Sequence, residues 1–203
     1  MRTSFADKDW AELTHAYGSA EDVPALLVQL NSADEQTRED ACSALFGNIW
    51  HQGTVYPATV KALRELIILF RSPDCVDRES VAILIASIAD GDGFFHAHGQ
   101  LDELRDVHEN ILSQQGSSIA MEIEKEAEYL RMIREMSLEV MPLLLPFLDS
   151  SNWYVRETVV GVFQRYFEHI PDAYARLEQR LSVEPSEDVR QRIEQALAGI
   201  KQV

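Results

Sequence analysis

One short pattern recurs four times along the chain: a helix-capping residue, three further residues, an arginine, then apolar positions at helical spacing. The copies are Asp34 to Arg38, Asp74 to Arg78, Asn152 to Arg156 and Ser186 to Arg190. With the arginines aligned, the third residue onward is Ala41, Val81, Val159 or Ile193. The sixth is Ala44, Leu84, Val162 or Ala196, and the seventh is Leu45, Ile85, Phe163 or Leu197. Such positions share one face of an α-helix. The Asp, Asn or Ser at the start is a residue type whose side chain accepts a bond from the free N–H groups of a first helical turn. Ahead of each copy stands an apolar run that a proline opens, Pro24, Pro57, Pro142 or Pro171, and proline suits a first turn because its missing N–H is not needed there. Each copy therefore predicts a helix, a tight turn and a capped second helix with one apolar stripe. A chain of such units is all-α, with the stripes buried between neighbours.

The first and third copies match furthest. Pro24, Leu26, Leu27, Leu30, Ser32 and Arg38 correspond to Pro142, Leu144, Leu145, Leu148, Ser150 and Arg156, all at an offset of 118. Successive arginines are 40, 78 and 34 apart, and 40, with twice about 39, is the period of paired-helix repeats. The two helices, the short turn with Asp or Asn and the Val-Arg that opens the second helix resemble the HEAT repeat. Val155-Arg156 and Val189-Arg190 match it directly, whereas Thr37-Arg38 and Asp77-Arg78 depart at the valine. The likeness covers residues 20 to 90 and 135 to 201. It implies an α-α superhelix, a HEAT or armadillo-like solenoid of about four to five helical pairs. In that reading the chain is one domain over 1–203: an N-terminal cap at 1–20, two repeats at 21–90, a diverged long-helix pair at 91–137 and two last repeats at 138–203. The resemblance further implies that the arginines bond within or between repeats, often to the Asp of a neighbouring turn. In the cap, Trp10, Leu13 and Tyr17 have helical spacing. In the middle, an arginine is due near 117, but Ser117 stands there. Strict alternation of the strand kind appears nowhere.

Charge narrows the function. The formal net charge is −16 over 203 residues, which opposes nucleic-acid binding, since that is driven by clustered Lys and Arg. It suits a basic protein partner, and it also aids solubility. No apolar run approaches the length of a membrane span, and the opening MRTSFADKDW lacks the apolar core of a signal peptide. Cys42 and Cys75 give no disulfide framework and read as reduced thiols of a cytoplasmic protein.

Three groups of residues are candidates for contact with a partner or ligand. The first lies in the segments HAYG, WHQGTVYPA and DGDGFFHAH: His15, Tyr17, His51, Gln52, Tyr56, Asp90, Asp92, His96 and His98. His51 and Gly91 each follow their arginine by 13 residues, so these turns are expected to approach one another. Imidazoles and carboxylates are metal ligands, but the spacing contains no metal signature. DGDG fails as a calcium loop because Phe94 and Leu101 stand where oxygen ligands are needed. The structural alternative is that His51, Gln52 and Tyr56 tie off the ends of neighbouring helices. The W…HAYGSAEDVP segment paired with HQGTVYPA resembles one found in bacterial HEAT-repeat proteins, which implies a shared edge feature and no reaction. The second group is the glutamate-rich helix MEIEKEAEYLRMIREM, where Glu122 and Glu126 stand four apart at like charge. It reads as a surface for a basic partner or as a plain solvated face. The third is Trp153 with Tyr154, aromatics just inside a helix cap, the type that anchors interfaces.

Neither a nucleophile motif nor a phosphate-cradling loop is present, and neither metal nor cofactor is expected. The leading function is a non-catalytic protein-interaction module, a scaffold or an inhibitory, immunity-like cover for a basic partner, with a groove lined by second helices. The alternative from the HEAT resemblance is an enzyme or cofactor-binding protein of the bilin-lyase type.

Overall fold

The computed structural model describes residues 5–99 and 102–200, without the side chains of 102–104. Ten α-helices dominate it: α1 Val23–Gln29, α2 Glu35–Asn48, α3 Pro57–Arg71, α4 Arg78–Asp90, α5 Phe94–His98, α6 Asp102–Gln114, α7 Ile119–Val140, α8 Trp153–Tyr166, α9 Ala173–Leu181 and α10 Glu187–Ile200. The architecture is all-α. Among the described residues no helix is long and apolar enough to cross a membrane. The chain divides into two compact units, Met1–Glu65 with Gly91–Arg134, and Leu66–Asp90 with Glu135–Val203.

The aligned stripe forms the core. Eleven of its twelve positions are buried and Ala44 is half-buried. In the second unit α4 packs on α8 and α8 on α10, so Val81, Leu84, Ile85, Val159, Val162, Phe163 and Ile193 supply its apolar interior.

The turn before each aligned arginine has one geometry in all four copies. The arginine turns back on the carbonyl six residues earlier: Arg38 Nη1 donates to Ser32 O at 2.9 Å, Arg78 Nη2 to Ser72 O at 2.6 Å, Arg156 Nη1 to Ser150 O at 2.8 Å and Arg190 Nη1 to Glu184 O at 3.5 Å. The side chain of that sixth residue accepts the N–H two residues on. Ser32, Ser72 and Ser150 take it from Asp34, Asp74 and Asn152, and Glu184 takes it from Ser186. The fork thus closes its own turn on carbonyls that the first helix leaves unsatisfied. The expected bond to a neighbouring Asp is not the pattern. Two of the four add an acidic partner, and in neither is it an Asp: Arg156 bonds the buried Glu184, and Arg190 Nε lies 3.8 Å from the exposed Glu187.

Caps depart at one copy. Asp34 accepts the N–H of Thr37 at 2.9 Å and Asn152 that of Tyr154 at 3.0 Å, as read from the sequence. The helix after Asp74 starts only at Arg78, with Asp77 accepting from Ser80 N at 3.1 Å.

Three segments differ from the helical reading. Residues 10–19 form a 3-10 turn at Trp10–Glu12 and then a hairpin, β1 Thr14–His15 with β2 Gly18–Ser19. Gly18 at φ +123° is outside helical space, and the Tyr17 N–H is taken by His15 Nδ1 rather than by a carbonyl one turn back. A second hairpin, β3 Trp50–His51 with β4 Thr54–Val55, closes through two consecutive left-handed residues, Gln52 at φ +51° and Gly53 at φ +88°. Strands of two residues are too short to show alternation. Finally, Met141–Asp149 is 3-10 rather than α-helix, with Pro146 inside it lacking an N–H that a continuous α-helix would use, whereas Pro142 stands in the first turn where none is needed.

Candidate functional site

In the first unit the two hairpins and the segment before α5 meet through the backbone. Ala16 N donates to Asn48 O at 3.0 Å, which ties the β1–β2 turn to the end of α2. Val55 N donates to Asp92 O and Asp92 N to Gly53 O, both at 2.9 Å, so the DGDG segment lies along β4. The three segments singled out from sequence are therefore neighbours, joined by main-chain bonds that no residue spacing encodes.

Their side chains separate into buried fasteners and exposed tips. His15 is 8 % exposed and bonds Asp22 through Nε2 at 3.0 Å, while Asp22 also accepts from Asn48 Nδ2. This is a fastener between the first hairpin and the α1 and α2 ends. Tyr56 is another: its hydroxyl lies 2.7 Å from Thr54 Oγ1, and burial pushes its phenol up against the opposing Thr54 bond. Thr59, missed in the sequence, accepts Tyr56 N at 2.9 Å and donates to Ile49 O at 2.6 Å. At the tips, Tyr17 is 70 % exposed and its ring stands edge-on to His51 with centroids 5.5 Å apart. Its hydroxyl is 3.4 Å from His51 Nδ1. Beside them Gln52 is exposed on its left-handed turn.

Asp92 and Glu126 hold α5 from two sides. Asp92 accepts Gly93 N at 2.8 Å and pairs with His96 Nδ1 at 2.8 Å. Glu126, on α7, accepts Phe95 N and His96 N, each at 2.8 Å. The expectation that Glu126 lies with Glu122 on a solvated or partner-facing stripe is corrected: Glu126 is 5 % exposed. Burial, with the nearby Asp92 charge, raises its carboxyl above the ordinary range despite the two N–H donors and the Tyr129 hydroxyl. Glu122 bonds Lys125 Nζ at 2.6 Å and Ser117 Oγ, and these outweigh burial to lower its carboxyl. Met121, Glu124, Lys125 and Glu128 line a shallow groove on α7. His98 packs 5.4 Å from Phe94, whose ring also meets His108 at 5.8 Å.

Two candidates fall in the second unit. Asp90 ends α4 and pairs with Arg165 Nε at 3.2 Å. Burial raises its carboxyl, against Arg165 and Arg192. Trp153 and Tyr154 are 50 % and 45 % exposed and edge-on to each other at 5.9 Å.

Among the described residues no three His, Cys, Asp or Glu groups converge as metal ligands. The first unit's turn cluster offers instead a polar aromatic tip, Tyr17 with His51 and Gln52, on a main-chain framework that fixes it. Such a tip donates and accepts hydrogen bonds and presents ring faces. No protein-family model matches the chain, and no curated protein matches it.

Proposed function

We propose that this chain is a HEAT-like α-solenoid of paired helices that works as a protein-binding module for a basic partner in the cytoplasm, not as a nucleic-acid or membrane binder. The observation that carries the reading is the arginine-closed turn, made with the same main-chain bonds in four copies. A closure that repeats while the residues around it vary is a device for stacking helical pairs, and stacked repeats present long surfaces to partners. The net charge of −16 sets the sign of the partner. Exposed aromatics at Tyr17, Trp153 and Tyr154 are residue types that anchor such interfaces.

The test is crosslinking in the native host, followed by purification of the captured protein and direct binding measurement. A basic protein that binds the wild-type chain, and binds at least about tenfold more weakly to a Tyr17→Ala/His51→Ala or a Trp153→Ala/Tyr154→Ala variant, supports the reading. Capture of an acidic partner, or binding indifferent to both variants, sinks it in this form.

A further inference from the structure

We infer that the outward stripe of α8 is a carboxylate-binding site, where Arg165 and Arg192 take a single aspartate or glutamate side chain of a partner protein. Only the source of that carboxylate rests on the protein-binding reading.

Tyr154, Thr158, Gly161 and Arg165 recur at helical spacing along α8 and share one face. Tyr154 and Arg165 are exposed on it and Thr158 is half-buried, yet Gly161 between them is buried. What covers Gly161 is Arg192 of α10: a Cβ at 161 would lie 2.8 Å from its Nη2 and 3.3 Å from its Nε. Glycine weakens a helix interior relative to alanine, so this one needs a local reason, and the guanidinium laid on the bare backbone supplies it. Gln164 of α8 does the reverse. It lies over Gly199 of α10, where a Cβ would stand 2.7 Å from its Nε2. The two helices thus exchange planar polar groups across paired glycines.

Arg192 is held there without an acceptor: among the described residues no carbonyl, hydroxyl or carboxylate bonds its guanidinium. The unit's other arginines on these helices differ. Arg156 bonds Glu184, Arg176 bonds Asp149, Arg180 bonds Glu184, and Arg165 Nε lies 3.2 Å from Asp90. Asp90 serves two guanidinium groups at once, Arg165 by contact and Arg192 through space. The pair is therefore short of one carboxylate, the group that a planar donor fork grips through two parallel bonds. Charge selects a single one. Glu157 and Asp188 stand one turn before Gly161 and Arg192, and with the net charge of −16 they oppose phosphate groups and other multiply charged anions. A carboxylate on a protein also arrives with apolar and peptide groups around it. Tyr154, 45 % exposed and two turns from Gly161 on the same stripe, offers them a ring. One acidic side chain on a mostly basic partner satisfies both the arginine pair and the sign of the whole chain.

The test follows the Nε–Hε signals of Arg165 and Arg192 by NMR in the whole chain as a blocked glutamate peptide is added, with its glutamine counterpart and inorganic phosphate as controls. Saturable shifts at both arginines with the glutamate peptide are expected, and binding at least about fivefold weaker in Arg192→Gln. Gly161→Ala separates display from packing. Its new methyl group displaces only the far end of a flexible side chain, so the urea midpoint holds or rises while peptide binding weakens. No shift with the glutamate peptide, an equal response to the glutamine peptide or to phosphate, or undiminished binding in folded Arg192→Gln overturns the proposal. So does a Gly161→Ala chain that loses stability and binds as before, and this variant decides if Arg192→Gln does not fold. A blank titration beside a captured basic partner removes the site alone. A clear titration with no partner captured removes the protein-binding reading and leaves the site.

Discussion

Two buried glutamates, one in each unit, do the same local work and respond to protons in opposite ways. Glu184, in the second unit, accepts Ser186 N at 2.9 Å, Arg156 Nε at 2.8 Å and Nη2 at 2.6 Å, and Arg180 Nε at 2.8 Å. Burial alone would raise its carboxyl, but the Arg156 fork, the Ser186 N–H and Arg180 outweigh it and hold it down at about 2. Glu126, in the first unit, also caps a turn through backbone N–H groups, yet it has no cation among its bonded partners and its carboxyl is raised. Burial sets the scale of the effect and the counter-charge sets its sign. The second unit's turn is therefore locked as an ion pair over most of the pH range, while the first unit's remains responsive.

The comparison breaks most directly at Arg156. Arg156→Met leaves Glu184 buried with only Arg180 and one N–H. A loss of about 3–5 kcal/mol in urea unfolding is expected, the usual effect of orphaning one half of a buried pair. Arg38→Met, which removes only bonds to the Ser32 and Ala33 carbonyls, is expected to lose about 1 kcal/mol. Equal losses at the two sites would mean that the carboxylate adds nothing to the turn closure. The pH dependence has a defined sign as well. The folded Glu184 value lies near 2 against an ordinary 4.5, so its stabilisation is present above about 4.5 and is lost as pH falls toward 2. That is on the order of 3 kcal/mol, and Glu184→Gln removes the corresponding acid limb of the stability curve.

Gly93→Ala sharpens the other side. The new Cβ would meet Glu126 Oε2 at 2.3 Å and Cδ at 2.6 Å, and two N–H bonds restrain that carboxylate from yielding. A loss of about 2 kcal/mol follows from overpacking of this kind. A Glu126→Ala background removes Oε2 and Cδ but keeps the Cβ, which would still lie 2.9 Å from the new methyl group, so the same substitution is expected to lose about 1 kcal/mol there. Additive losses in the cycle would detach Gly93 from Glu126.

Much of the helical framework is legible from the aligned arginines, because a capped helix and an apolar stripe are local signals. What the arginines bond is not. Their carbonyl partners lie within six residues, but a carbonyl has no letter in the sequence. The buried acidic partner, Glu184, occupies the place where the other copies carry Ser32, Ser72 and Ser150, and that substitution is the available clue. Trp10, Leu13 and Tyr17 imitate a helix in spacing, yet Leu13 is buried and Tyr17 exposed on a hairpin. There His15 and Gly18 divert the backbone. Glu126 looked like one of several solvated glutamates, and its burial follows from a long-range meeting with α5 that only the glycine at 93 hints at. Tyr17, His51 and Gln52 do come together at one edge, joined through β3–β4, although no period for two-residue strands exists to announce it.

The smallest effect probes how the first unit holds its turn without cations. The β3–β4 loop needs two left-handed residues in succession, and Gln52 at φ +51° fills the first. For a residue with a Cβ this backbone costs about 1–2 kcal/mol relative to helical space, and asparagine tolerates it better. Gln52→Asn is therefore expected to stabilise the chain by about 0.5–1 kcal/mol, read as a higher urea midpoint at unchanged slope. The main-chain bonds of Gly53 O and Val55 N to Asp92 depend on this loop, so protection of the Val55 amide rises with it. A stability loss instead would mean that the Gln52 amide makes a stabilising contact greater than the strain it carries. If the variant is more stable but binds the partner more weakly, the strain serves the display of Gln52 at the tip. If both improve, Gln52 is a turn residue and nothing more, and the binding edge reduces to Tyr17 and His51.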